Sequence, residues 1–226
     1  MSSKLENEQI QAVKVWMRRY FTYIEWGSGV LLSVLAVVAW AQTRLGGAGA
    51  LSTYDIFPLF GLLAFSLMAS HYINGALGRF SEHRGRPNDA YWVASSALVL
   101  VLMIAHPLLL NYGLVRDGLG LPPASYVAAY SEGVLYAFLL GIVGLVIFLL
   151  FELKRWFGAC KWWRWVEYLQ IVGMATIAIH ALVLGRELQH GWYRWVWLAQ
   201  LAVLVGVWIY SGVVAHNTNG GNDERE

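Results

Sequence analysis

Charged residues are scarce in this chain. Asp, Glu, Lys and Arg make up 13% of its 226 residues, about half of the roughly 25% that is typical of globular proteins. Hydrophobic residues make up 58%, and the mean hydropathy is +0.51. This composition excludes a water-soluble domain of ordinary make-up and predicts a protein that lies mostly within a lipid bilayer.

Cysteine is scarcer still. Cys160 is the single one, so an internal disulfide is excluded. The formal net charge is only +2, and no basic cluster with interleaved aromatic residues stands outside the membrane edges, so we expect no nucleic-acid binding. The chain also lacks a glycine-rich nucleotide fingerprint and a phosphate loop. Any flavin or nicotinamide chemistry must therefore come from a partner protein.

Six long runs contain no Asp, Glu, Lys or Arg, and each is close to the roughly 20 residues that cross a bilayer as a helix. The runs cover residues 26–43, 56–78, 90–115, 133–151, 168–185 and 195–216. The polar start of the chain is unlike a cleavable signal peptide, so we expect the first span to be retained. The sequence predicts an all-α integral membrane protein with a bundle of six transmembrane helices.

The charges of the loops predict the orientation of the bundle, since positive loops stay in the cytoplasm. Twelve of the sixteen Lys and Arg residues fall on the side that carries both termini, and the alternate loops hold only Arg44, Arg116, Arg186 and Arg194. Both termini are therefore predicted to be cytoplasmic. We expect a multi-pass protein of the cell inner (plasma) membrane.

Three segments follow from this reading of the chain. Residues 1–22 form a cytoplasmic or interfacial segment, residues 23–216 the six-helix domain, and residues 217–226 a polar cytoplasmic tail. The apolar residues of the first segment recur near helical spacing, at Leu5, Ile10, Val13, Met17 and Tyr20. This pattern predicts an amphipathic helix that lies on the cytoplasmic surface. Glu25, just after it, is interpreted as an interfacial carboxylate.

Histidines inside the spans are the most informative residues, because an ionisable group in a bilayer is costly and usually functional. His71, His106 and His180 lie in spans two, three and five. His106 and His180 lie 16 and 15 residues from the cytoplasmic ends of their spans, or about 23 Å at 1.5 Å per residue. Two imidazoles at matching depth can supply both axial ligands of a haem iron. Bonds to neighbouring carbonyls, or a proton relay, are alternatives.

Three stretches resemble the ferric-reductase-like transmembrane domain family, which includes bacterial haem-binding subunits and the membrane part of NADPH oxidases. They read MIAHPLLL at 103–110, WVEYLQ at 165–170 and IHALVLG at 179–185. The resemblance covers about residues 57–214. It implies a b-type haem between His106 and His180, near the outer face of the membrane.

The family's usual second haem would need ligands 14 residues before His106 and 13 before His180, and these positions hold Trp92 and Glu167. One haem is therefore expected. Two alternatives use the same region. His71 ligates a displaced second haem, or a quinone occupies the space, with His71, Tyr72, Asn74 and Glu167 as its hydrogen-bonding groups. In a third, Trp92 and Tyr91 simply fill the space. The family geometry also implies that Arg116 and Arg186 neutralise the haem propionates.

The sequence thus predicts a membrane-bound b-type cytochrome that relays electrons as a subunit or partner of an oxidoreductase. Its expected donor is a flavin reductase or a quinol, and its acceptor lies at the outer face. It lacks a flavin or NAD(P)H domain of its own. The alternative is a haem-free six-helix transporter or assembly factor in which the histidines carry protons or metal ions.

Overall fold

The computed structural model describes residues 2–45, 50–81, 90–152, 163–189 and 191–220, and side chains within 8–45, 50–81, 90–150, 169–189 and 191–210. All regular structure in these ranges is helical. The helices are α1 (Ser2–Arg44), α2 (Thr53–Phe80), α3 (Ala90–Arg116), α4 (Ala124–Ala129), α5 (Glu132–Glu152), α6 (Trp163–Leu184), α7 (Arg186–Gln189) and α8 (Trp192–Gly220).

Five of these helices are long and apolar enough to cross a membrane: α1, α2, α3, α5 and α8. The described apolar part of α6 is shorter, Leu169–Leu184. The chain is therefore a helical, multi-pass membrane protein. Each of the six predicted charge-free runs falls on one helix. Their ends agree within five residues, except that α1 begins at Ser2, well before the first run.

Helix α1 runs without a break through the residues predicted to join a surface helix to the first span. Met17, Phe21 and Glu25 are buried at four-residue spacing, while Trp16 is 57% exposed. This stretch therefore packs one stripe against the protein. A position along the membrane surface stays a prediction. At the other end, α8 continues as far as Gly220, into the predicted tail.

The helices form two compact units. The first unit comprises residues 1–37, 62–99 and 196–226. Within it, the rings of Phe65 and Trp197 stack with centroids 3.8 Å apart, which brings α2 against α8. Trp26 meets Tyr91 edge to face at 5.3 Å, which brings α1 against α3. Aromatic pairs of this kind stabilise a fold beyond the area that they bury.

The second unit comprises residues 38–61 and 100–195. Its core holds Leu110, Leu114 and Phe138, and Tyr126 stacks on the Phe138 ring at 5.0 Å. Glycines bring α5 and α6 close together, as small residues do in membrane bundles. A Cβ added at Gly144 would come within 2.5 Å of Ile177 on α6.

A partly buried ion cluster joins α1, α2 and α7 in the second unit. Nε of Arg44 donates to Glu187 at 2.9 Å, and a terminal nitrogen of Arg44 lies 3.4 Å from Asp55. The Glu187 side chain is fully buried. Arg44 also donates to the carbonyl of Tyr54, which has no partner at position 58 within its own helix because Pro58 lacks an N–H. One guanidinium thus contacts two carboxylates and satisfies the carbonyl left open by the proline.

We expect Glu187→Ala to lower the free energy of unfolding by about 1–3 kcal/mol, because the Nε–H group of Arg44 loses its acceptor, while Asp55 still balances the guanidinium charge. Thermal unfolding of the detergent-purified protein, with variants at matched concentration, measures the effect. Glu132→Ala is the control, since Glu132 is an exposed carboxylate at the start of α5. Equal melting temperatures for the two variants would show that the cluster does not stabilise the fold.

Candidate functional site

The structure brings His106 of α3 and His180 of α6 together in the second unit. Their ring centroids lie 6.3 Å apart and their planes are nearly perpendicular, at 84°. Both rings are partly exposed. The two helices are not consecutive along the chain, so this pairing is a product of the fold.

Each ring is held by a hydrogen bond to a carbonyl on another helix. Nδ1 of His106 donates to the carbonyl oxygen of Phe57 at 2.7 Å, and Nδ1 of His180 donates to that of Ala137 at 2.8 Å. A carbonyl oxygen only accepts, so Nδ1 carries the proton in both rings. In the neutral imidazole the lone pair then lies on Nε2. The fold therefore leaves a metal-ligating nitrogen on each histidine.

Each ring also rests against a glycine of the helix that supplies its carbonyl. A Cβ at Gly61 of α2 would lie 3.0 Å from Nδ1 of His106, and one at Gly141 of α5 would lie 2.5 Å from Nδ1 of His180. Both glycines come four residues after the carbonyl that their histidine bonds. In an α-helix that carbonyl already accepts from the glycine N–H. The missing side chain leaves room for the imidazole to share it.

The side chains that could ligate a metal limit which metal groups His106 and His180 can hold. Among the described residues, no group of three or more His, Cys, Asp and Glu side chains could hold a metal ion. A metal between His106 and His180 must therefore take its other ligands from elsewhere. A porphyrin supplies four nitrogens in a plane and leaves two axial positions for imidazole nitrogens. The residues present fit that requirement.

The arginines predicted to face propionates are bound elsewhere or exposed. Nε of Arg116 donates to Asp117 at 2.9 Å, and its guanidinium lies 6.0 Å from the Tyr54 ring centroid. Hydrogen bonds from Arg116 and then Tyr54 hold the pKa of Asp117 below its usual range. Arg186, the first residue of α7, is exposed. In the described part of the chain, no recorded contact joins either arginine to the paired histidines.

A second polar cluster, in the first unit, contains two of the three residues predicted for a second site. His71 and Trp92 stack with ring centroids 4.8 Å apart at 28°. Nε2 of His71 lies 2.6 Å from Oγ of Ser95, and the indole N–H of Trp92 donates to Glu25 at 2.7 Å. The third residue, Glu167, lies on α6, but its side chain is outside the described residues.

Sequence reasoning missed the groups that hold these rings. Backbone carbonyls at Phe57 and Ala137 leave no trace in composition, and Gly61 and Gly141 were indistinguishable from other small residues in the spans. Glu25 is fully buried, whereas its place beside the first span suggested an interfacial carboxylate. The available signal was its position, because Glu25 continues the four-residue spacing of the apolar Met17 and Phe21.

No protein-family model, no curated protein and no solved structure matches this chain.

We expect Gly141→Ala to destabilise the protein by about 1–3 kcal/mol, the usual cost of an overpacked core. The new methyl group would displace a ring that the bond to Ala137 holds in place. Gly61→Ala, with its longer 3.0 Å approach, should cost less. Gly206→Ala is the control, because nothing lies within 4 Å of its Cβ position. Melting temperatures in one detergent measure the series, and any other order would contradict the packing described here.

Proposed function

We propose that this protein is a membrane-bound b-type cytochrome that carries one haem between His106 and His180 and relays electrons. One observation carries the proposal: two imidazoles on different helices approach each other, and each has its Nδ1 proton committed to a carbonyl. Hydrogen-bonded histidines of this kind are the usual metal ligands in proteins, because the second bond fixes the ring and raises its basicity.

The separation of the rings also supports a shared metal. Two in-line metal–nitrogen bonds of about 2.0 Å, with each ring centre about 1.1 Å behind its nitrogen, give a spacing of about 6.2 Å. The observed centroid distance is 6.3 Å. A direct hydrogen bond between the two rings, with the nitrogens about 2.9 Å apart, would give a centroid spacing of about 5.1 Å in the same in-line arrangement. The spacing therefore favours a metal between the rings over direct proton transfer.

When bound, the haem supplies the one-electron chemistry, and the protein sets its orientation and potential. The chain's own part follows from the contacts of His106 and His180. Each Nδ1–H bond fixes the tautomer in which the Nε2 lone pair would be available to the iron. Gly61 and Gly141 give the rings the clearance to make these bonds.

A single haem is the number that the first unit supports. Trp92 stands where the family pattern implies a ligand, and its ring is stacked on His71. Nε2 of His71 is bonded to Ser95. Among the described residues the His71 ring contacts Tyr91 and Trp92 and no second histidine, so the two imidazoles that a displaced second haem would need are not brought together there.

The proposed setting is a cell inner membrane crossed six times, with both termini in the cytoplasm. The excess of Lys and Arg on one side supports this orientation. The proposed haem then lies near the outer face, where an acceptor or partner protein takes the electron. A flavin reductase or a quinol is the proposed donor.

We expect one b-type haem per chain in the protein expressed with sufficient haem. His106→Ala and His180→Ala should each lose it, because one axial nitrogen does not hold the iron in a bis-histidine site. His71→Ala should keep it. Pyridine haemochrome quantitation and a reduced-minus-oxidised spectrum measure the content. Two haems per chain would restore His71 as a ligand, and a haem-free wild type would support the transporter alternative.

The ferric protein should also be low-spin, because His106 and His180 would each offer the iron an imidazole nitrogen. Electron paramagnetic resonance of a frozen sample of the purified protein measures the spin state. A high-spin signal would contradict ligation by both histidines.

A further inference from the structure

The cluster around His71 has a definite direction of hydrogen bonding. Oγ of Ser95 donates to the carbonyl of Tyr91. A serine hydroxyl has one proton, and a carbonyl can only accept. Ser95 therefore accepts at its contact with His71, so Nε2 of His71 must be the protonated nitrogen.

The same argument assigns the hydroxyl of Tyr91. Oγ of Ser70 donates to the carbonyl of Leu67 at 2.7 Å, so at its short contact with Tyr91 the serine accepts the phenol proton. The indole N–H of Trp92 donates to the carboxylate of Glu25. Every side-chain donor of His71, Ser70, Tyr91, Trp92 and Ser95 is thus committed within the protein.

One acceptor is left over in this cluster. A charged imidazole is costly within a membrane bundle, and in the neutral ring with Nε2 protonated the lone pair lies on Nδ1. Nδ1 of His71 has no recorded hydrogen-bond partner in the described part of the chain. The ring is also partly exposed, whereas Ser70, Tyr91 and Ser95 around it are buried. The cluster therefore offers an unpaired acceptor on a partly exposed ring, and none of its five side chains has a donor to spare.

We propose that Nδ1 of His71 binds the hydroxyl group of a hydroquinone. The ligand must reach a site among apolar helices, so it must dissolve in the bilayer. It must bring its own O–H, because the cluster has no donor to offer it. A flat aromatic ring suits a site built from the stacked His71 and Trp92 rings. The oxidised quinone, which has only carbonyl oxygens, lacks the required proton. Binding stands independently of the haem, while any part in electron transfer rests on the proposed function.

The test uses the full chain in lipid discs under anaerobic conditions, with a short-tailed dimethoxy-methyl hydroquinone as the probe. Equilibrium dialysis compares it with its quinone and with its dimethyl ether, which has the same shape but no O–H. We expect the hydroquinone to bind about tenfold more tightly than either, the factor for one buried hydrogen bond. In ¹⁵N-histidine-labelled protein, the hydroquinone alone should shift the Nδ1 resonance that is missing from His71→Phe.

Two variants separate the tautomer from the mere presence of the ring. His71→Phe keeps an aromatic ring for the stack but has no Nδ1, so the preference for hydroquinone should vanish. Ser95→Ala frees the Nε2 proton, the ring can then present Nδ1–H, and the preference should fall towards unity. Ser66→Ala is the matched control, because Ser66 is a buried serine of α2 whose hydroxyl has no recorded partner. It should leave the preference unchanged.

Equal binding of hydroquinone and ether, or an undiminished preference in His71→Phe, would overturn the proposal. These outcomes are distinct from failure of the proposed function. A haem-free protein that still prefers hydroquinone through His71 would refute the cytochrome and leave this site standing. A haem-loaded protein whose hydroquinone binding ignores His71 would refute only the site.

Discussion

Within a membrane bundle no water is at hand for an imidazole N–H, so each buried histidine needs an acceptor from the protein itself. His106 and His180 meet this need with carbonyls of α2 and α5. These two bonds decide which nitrogen keeps its lone pair and which helices must be neighbours. They also require a close helix approach, which the glycines beside the rings allow. The candidate site depends on this one constraint.

The same constraint applies in the first unit, where the hydrogen bonds of the serine hydroxyl groups have a fixed direction. Ser70 and Ser95 each donate to a carbonyl of their own helix and therefore accept from Tyr91 and His71. Polar side chains that are fully satisfied in this way specify one arrangement of the helices. The network fixes the tautomer of His71 through Ser95, with no charged group bonded to the ring. The unpaired Nδ1 of His71 therefore depends on the hydrogen bonds of the whole cluster.

Much of the fold was predictable from the sequence, because helix ends in a membrane follow the distribution of charge. The predicted third span begins at Ala90, as α3 does, and the second lies within α2. The approach of His106 and His180 followed from equal depth on different helices. Counting residues along a span gives depth, and depth decides which side chains can meet if their helices are neighbours.

The rest could not be predicted, because it depends on which helices touch and on backbone atoms that every residue shares. Nothing in the spacing of Phe57 distinguishes its carbonyl from that of any other helical residue. Glu25 is buried because Trp92 on another helix offers an N–H, a pairing of residues 67 positions apart. The role of Arg44 depended on a buried partner, Glu187, at the start of the short α7.

The glycines beside the two histidines have a consequence for how such a site arises. Phe57 with Gly61, and Ala137 with Gly141, repeat one arrangement: an open helix carbonyl one turn before a residue without a side chain. The histidine comes from a different helix in each case. On the side of α2 or α5, each histidine therefore needs only a backbone carbonyl and a glycine four residues later. A transmembrane helix can gain this arrangement by a single substitution to glycine. Two such arrangements on separate helices can be acquired one at a time, with no insertion and no change of topology.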